Sequence, residues 1–401
     1  MFLLQFVAVV AATRSLPTMG WSTWCTNGNS STPFSWLPCY DDMCSEAEVM
    51  SVAKSMVQSG LAALGYRMIL LDDCWADTKR APGTNEIQAD RSRFPSGTLA
   101  VLASYLHSMG LQLGAYTDVG PTTCRGGRMG SWPFYQQDAH TFASWGLDMV
   151  KMDWCHHPGG FTQQQLYTNF SMALNATGKH FNFNICGWGL NDVWTWGGKI
   201  ATSYRVGPDH IPLIWTPNTN QDPGHGQGLL NIIETQRGLS QFEGVADPDF
   251  LEPGYVWNGP ELDRVEMSFW CMWAAPLMVA TDVRDLSNKQ ALLNKEAIAI
   301  NQDPLMIPGD AVSPVGDHAQ IWTRELSGGR WAALLFNSDI FSFTDRTPLL
   351  RFDSSMLKNW PSGKSASVRD VWTHKNLGVY VGSFNKTLAA REMIMVVLTP
   401  M

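Results

Sequence analysis

From Met19 onward one unit recurs: a short apolar run, a polar loop, then an amphipathic stretch stopped by glycine. Apolar strands that alternate with helical patterns require βαβ units and a parallel sheet. Repeated this often, with polar residues closing each apolar run, the pattern favours a (β/α)8 TIM barrel over an open sheet. Met19–Trp24 is the first predicted strand. Ser45 and Glu48 make a capping box for a helix with Val49, Val52, Ala53, Met56 and Val57 on one face and Gly60 as its stop. Tyr66–Trp75 and Leu111–Val119 are the next strands, joined by a helix bearing Leu99, Leu102, Ala103 and Leu106. Helices over Gln137–Trp145 and Leu166–Leu174 flank the fourth strand, Leu147–Asp153, and lead to the fifth, Phe181–Trp188. A short helix over Trp194–Ala201 precedes a sixth strand at Ser203–Arg205. The last two units are less clear. Residues 211–228 are rich in Pro, Asn and Gly and predict an irregular loop, whereas Glu261–Ala275 and Lys289–Ile300 predict helices.

The barrel is expected to span residues 16–307. Beyond Pro308 the period changes. Gln320–Arg324, Arg330–Asn337, Ser367–Val371, Gly378–Val381 and Glu392–Leu398 are short, β-rich and separated by turn residues. They predict a C-terminal antiparallel β-sandwich over 308–401, without a catalytic constellation. Two units suit a chain of 401 residues, which is too long for one small core.

The opening run MFLLQFVAVVAA is too short to span a bilayer and is followed by small residues. It predicts a signal peptide over 1–15. Eight cysteines and four N-x-S/T sequons, at Asn29, Asn169, Asn175 and Asn385, agree with passage through the secretory pathway to a secreted, lysosomal or vacuolar destination. No later stretch is apolar enough for membrane insertion. A net charge of -8 with no Lys/Arg run argues against nucleic acid as a partner.

Polar residues gather at the predicted C-terminal ends of the strands: Trp24; Asp72 and Asp73; Tyr116 and Asp118; Lys151 and Asp153; Trp188; and Arg205 with Asp209. On a strand, Lys151 and Asp153 share a face because they are two residues apart. Five acids and two bases at one mouth are costly to bury without a purpose. Glycoside hydrolysis supplies one, since it needs one carboxylate as nucleophile or base and one carboxylic acid as proton donor. Further charged groups grip hydroxyls, and exposed Trp faces suit sugar rings. Other chemistries find no support. There is no phosphate loop and no nucleophile elbow, and His156–His157 read as loop residues. Asp247–Pro248–Asp249 reads as a strand-end loop at the pocket rather than a metal site.

MGWSTW, LLDDCW, GAYTDVG, VKMDWC, CGWG, Arg205-x-x-x-Asp209 and AINQDPL occur in an order that resembles glycoside hydrolase family 27, the α-galactosidases and α-N-acetylgalactosaminidases. The resemblance runs from about Met19 to the C-terminus. It implies a barrel plus sandwich and a retaining exo-glycosidase that uses neither metal nor organic cofactor. Asp153 would be the nucleophile and Asp209 the general acid/base. Asp72 and Asp73 would grip the galactose 6- and 4-hydroxyls, Lys151 the 3- and 4-hydroxyls and Arg205 the 2-hydroxyl. Trp24, Tyr116 and Trp188 would wall the pocket. Lys151 is expected to keep Asp153 ionised, and Asp209 would have to start protonated. Retention places the two carboxyls about 5–5.5 Å apart. The implied disulfides are Cys25–Cys74, Cys39–Cys44 and Cys124–Cys155, with Cys186 and Cys271 free. Implied partners are α-galactoside oligosaccharides, glycolipids or glycoproteins, with a homodimer left open.

Three positions depart from the family's pattern. Ser22 stands where many relatives have Asn, and Val245–Ala246 where Trp–Asn is common. Gly187 is small, as in members that accept a 2-N-acetyl group, but Leu190 is the larger of the residues found at its position. The expected activity is that of a retaining α-galactosidase. An α-N-acetylgalactosaminidase or β-L-arabinopyranosidase of the same mechanism is the alternative, and after it an inactive carbohydrate-binding relative. Asp72 argues against arabinose, which lacks the 6-hydroxymethyl group. The two acids, Lys151 and Arg205 argue against inactivity.

Overall fold

The computed structural model describes residues 15–24, 26, 43–217, 226–255 and 259–401. Most of the predicted signal peptide, Cys25, Cys39 and the sequon at Asn29 lie outside them. Eight parallel strands make the first sheet: β1 (Met19–Ser22), β2 (Met68–Leu71), β3 (Gln112–Asp118), β4 (Met149–Asp153), β5 (Asn182–Cys186), β6 (Ser203–Arg205), β7 (Val245–Asp247) and β8 (Leu277–Val279). Their order is β7-β6-β5-β4-β3-β2-β1-β8. The ring closes just past β7, where Leu251 donates its N–H to Met278 O at 2.8 Å and accepts that of Ala280 at 2.9 Å. The barrel interior beneath the mouth is filled by Met68, Leu70, Met149, Phe250 and Met278, all buried.

Helix α1 (Glu46–Gln58) carries the predicted capping box, with Val49, Val52, Ala53 and Met56 buried. Val57, expected on the same face, is exposed in the last turn. Trp194–Ala201 forms two short 3-10 segments, Leu190–Thr195 and Gly197–Lys199, instead of one helix. Gly197 and Gly198 sit at the break, and glycine weakens a helix interior. The predicted helix near Glu261 is α7 (Gly259–Met272), and the one after Lys289 divides into a 3-10 turn and α8 (Lys295–Asn301).

The C-terminal part is antiparallel. A six-stranded sheet has the order β14 (Lys375–Tyr380), β13 (Ala366–Asp370), β16 (Met393–Pro400), β11 (Arg330–Asn337), β10 (Ala319–Leu326) and β9 (Asp310–Ala311), and β12 (Leu349–Arg351) pairs with β15 (Ser383–Asn385). Its long strands are β10, β11 and β16. One hydrophobic cluster runs through barrel and sheet, joining Phe269, Trp270 and Trp273 to Trp322, Leu334 and Phe336. Trp322 meets Phe269 edge-on at 5.5 Å and Trp273 at 5.8 Å. Buried Arg324 donates to the carbonyls of Cys271 and Asn301.

Candidate active site

Strand register assembles the site. Tyr116 is level with Lys151, and Asp118 with Asp153, in the β3–β4 ladder. Asp153 is level with Cys186 on β5, and Arg205 with Asp247 across β6 and β7. All of these sit at the C-terminal ends of parallel strands, where loops build the sites of α/β barrels. Asp72, Asp73, Lys151, Asp153 and Arg205 are buried, Trp24 and Trp188 half-buried.

Lys151 Nζ bonds Asp72 Oδ2 at 2.7 Å. The ammonium lies among aromatic rings, 4.7 Å from the centroid of Phe250 and 5.6 Å from those of Trp24 and Tyr116. Asp72 Oδ1 accepts the N–H of Asp73 at 2.9 Å, and Asp73 Oδ2 accepts that of Arg125 at 2.9 Å. Among the described residues, Asp73 Oδ1 and Arg205 Nε are buried without a hydrogen-bond partner. A buried acceptor and a buried donor left open at the C-terminal strand ends of one barrel match the demands of a polyhydroxylated ligand.

Asp153 accepts Tyr116 Oη on Oδ2 at 3.0 Å and the N–H of Trp154 on Oδ1 at 2.9 Å. Burial pushes its carboxyl up to about 7, and the Asp209 and Asp72 charges add to this against Lys151. The expected dominance of Lys151 over Asp153 is therefore corrected. The ammonium pairs directly with Asp72, and burial outweighs its pull on Asp153. Arg205 Nη2 reaches Asp209 Oδ1 at 3.1 Å and Asp249 Oδ2 at 2.9 Å. Asp118 turns to a different task. Its oxygens accept the N–H groups of Gly120 at 2.6 Å and Cys155 at 2.9 Å, which ties the loop after β3 to the loop after β4.

Disulfide pairing also differs from expectation. Cys74 is bonded to Cys44, which overturns both Cys25–Cys74 and Cys39–Cys44. The start of α1 comes close to the end of β2, a proximity set by packing and invisible in cysteine spacing. Cys124 is bonded to Cys155, and Cys186 and Cys271 are free and buried. Asp118, Cys124 and Cys155 bring three potential ligand atoms together. The sulfurs are spent on the disulfide and offer no thiolate to a metal.

The model described as alpha galactosidase A matches residues 16–204 and 231–303, and that of the alpha galactosidase C-terminal beta sandwich domain matches 316–398. The chain belongs to the α-galactosidase family, glycoside hydrolase family 27. Among family relatives, alpha-galactosidase A of Cellvibrio japonicus is 38% identical over 328 residues, covering 80% of this chain and 76% of its own. The alpha-N-acetylgalactosaminidase of Gallus gallus is 34% identical over 377 residues, covering 90% and 87%. The crystal structure of alpha-galactosidase I from Mortierella vinacea superposes with a TM-score of 0.84 at 28% identity, covering 97% of this chain and 98% of that one.

Two features of this family member were only partly legible in its sequence. Asp249 and Phe250 enter the site from beyond β7, and the paired acids of Asp247–Pro248–Asp249 were the one available signal. At Gly187 a Cβ would stand 2.6 Å from Gln163 Nε2. Buried Gln163, at the start of α5 (Gln163–Ala176), donates to Gly187 O at 3.3 Å and fills the space of the missing side chain.

Proposed function

We propose that this chain is a retaining α-galactosidase that removes terminal α-D-galactosyl residues from oligosaccharides, glycolipids or glycoproteins. One observation carries the reading: a buried carboxylate, Asp153, and a half-exposed one, Asp209, share a pocket with the Lys151–Asp72 pair and the open acceptor of Asp73. Asp153, oriented by Tyr116 and the Trp154 N–H, attacks C1 of the sugar. The C1–O glycosidic bond breaks, a C1–Oδ ester forms, and Asp209 gives its proton to the departing oxygen. Water then attacks C1, Asp209 takes its proton, and the ester opens to release galactose and the Asp153 carboxylate. Asp72 and Asp73 hold the 6- and 4-hydroxyls, Lys151 the 3- and 4-hydroxyls, and Arg205 the 2-hydroxyl. Trp24, Tyr116 and Trp188 form the walls.

The test uses a 2-fluoro glycosyl inactivator. Asp153→Asn should lose turnover and escape labelling, whereas Asp209→Asn should still label and should turn over best with activated leaving groups. Labelling of the first variant but not the second would reverse the two roles. A second reading, hydrolysis of α-N-acetylgalactosaminides, is favoured by the absence of a side chain at Gly187. Gln163 occupies that space, which supports the galactoside, and paired chromogenic substrates decide the matter.

Two disulfides and exposed sequons at Asn169, Asn175 and Asn385 support a secretory-pathway enzyme. No helix among the described residues is long and apolar enough to cross a membrane.

A further inference from the structure

Arg205 presents a single nitrogen to two carboxylates, and the two are placed differently. The side chain of Asp209 is 42% exposed and that of Asp249 is 5% exposed. Asp249 Oδ2, which faces Arg205, also accepts the backbone N–H of His210 at 2.8 Å, one residue beyond Asp209. The backbone of Asp249 is held at φ 98°. Its N–H donates to Asp247 Oδ1 and its carbonyl accepts Trp270 Nε1, each at 2.9 Å. A non-glycine residue in that region is strained and persists only where its surroundings hold it. Here they hold it so that one carboxylate grips both Arg205 and the loop carrying Asp209.

We propose that Asp249 is the standing counter-ion of Arg205, a positioning residue that frees Asp209 to carry and donate a proton. The inference rests on Asp209 being the acid/base. Arg205 Nη2 also donates to the carbonyls of Gly207 and Pro208, but these carry no charge, and a carboxyl that is the sole counter-charge of a buried guanidinium is kept as the anion. With Asp249 in place, Asp209 can leave Arg205, accept a proton and turn to the glycosidic oxygen. The charged and titratable groups facing Asp249 are Lys151 on β4, Arg205 on β6, Asp209 and His210 after β6, Asp247 on β7, and Glu252 beyond it. Glu266 on α7 backs His210, whose Nδ1 lies 3.4 Å from its Oε1. Arg205 and Lys151 are the cations of this set, and Lys151 already has Asp72.

Asp249→Asn removes the charge and keeps an acceptor for the His210 N–H. Two substrates are compared: α-galactosyl fluoride, whose leaving group needs no proton, and methyl α-galactoside, whose leaving group does. Loss of acid assistance should lower kcat/KM for the methyl glycoside about 100-fold and leave the fluoride within about threefold. The alkaline limb of the methyl-glycoside profile should move to lower pH by about one unit. Equal losses on both substrates with an unmoved profile would overturn the proposal and leave Asp249 a structural residue. Arg205→Gln must move the alkaline limb the other way. It answers the question even where Asp249→Asn does not fold, and an absent or downward shift refutes the counter-ion role. Asp209→Asn is the reference. If it too fails to separate the substrates, the assignment of Asp209 is at fault and the role of Asp249 falls with it.

Discussion

Acidification from about pH 8 to about pH 6.5 should stabilise this protein. Burial is the largest cause in pushing Asp118 up to about 9, and Asp153 and Asp263 up to about 7. The folded chain holds protons on these carboxyls that the unfolded chain has already released at an ordinary value near ~3.9. Stability is therefore gained as pH falls through each folded value and lost as it rises. Over this interval Asp118 contributes ~2 kcal/mol and the other two just under ~1 kcal/mol each, at ~1.4 kcal/mol per unit of differential protonation. Repulsion between the acids makes these contributions less than additive, so ~3 kcal/mol is the expected gain. Glu252 and Glu266, also raised by burial, act in the same direction. The gain continues below this interval towards the ordinary carboxylate value, and His210 offsets part of it. Buried His210 is pushed down to about 4, so below the ordinary histidine range the unfolded chain takes up a proton that the folded chain refuses. Thermal unfolding at fixed ionic strength should show a melting temperature ~3–5 °C higher at the lower pH. Asp118→Asn should remove about half of the dependence. A melting temperature that is flat or rises with pH over this interval would mean that the carboxyls are ionised in the fold, and would refute the reasoning.

Two further outcomes follow from the same geometry. Asp73→Asn replaces the open buried carboxylate oxygen with a neutral amide, and a hydrogen bond to a charged group is worth about 1.5–3 kcal/mol, so kcat/KM should fall about 10–100-fold. Undiminished kcat/KM would place the ligand elsewhere. Replacing Cys124 and Cys155 together with alanine opens a cross-link of sequence separation 31. Loop entropy alone predicts a loss of about 3.5 kcal/mol in denaturant unfolding, and an unchanged midpoint would count against that account.

Much of this architecture was legible because strands β1–β6 are apolar runs closed by polar residues, and the capping box at Ser45 marks its helix unambiguously. The last two strands were not: β7 and β8 are three residues each, as is β6, and the repeating unit that framed β6 is interrupted by the Pro-, Asn- and Gly-rich stretch 211–228. At that length ring closure decides, and local propensity carries little information. The period-two rule put Lys151 and Asp153 on one face, as observed, but could not say which acid the ammonium would choose. Asp72 directly follows β2, and its approach depends on barrel curvature. Cys44 pairing with Cys74 is a long-range fact of the same kind. Asp249 was hidden for another reason: a left-handed backbone step after Pro248 aims its carboxylate, and strand alternation cannot foretell such a step.

The shared aromatic cluster between barrel and sheet makes the catalytic half dependent on its neighbour. Trp322 on β10 supports Phe269 near the end of α7 and Trp273 just beyond it, and Trp270 between them holds the carbonyl of Asp249 through its indole N–H. None of the proposed site residues lies on the sandwich, yet Trp322 is linked to Arg205 through Trp273, Trp270 and Asp249. A chain ending after α8 would leave Phe269 and Trp273 facing water. Shuffling this sheet for that of a distant relative would amount to changing the foundation under one wall of the pocket.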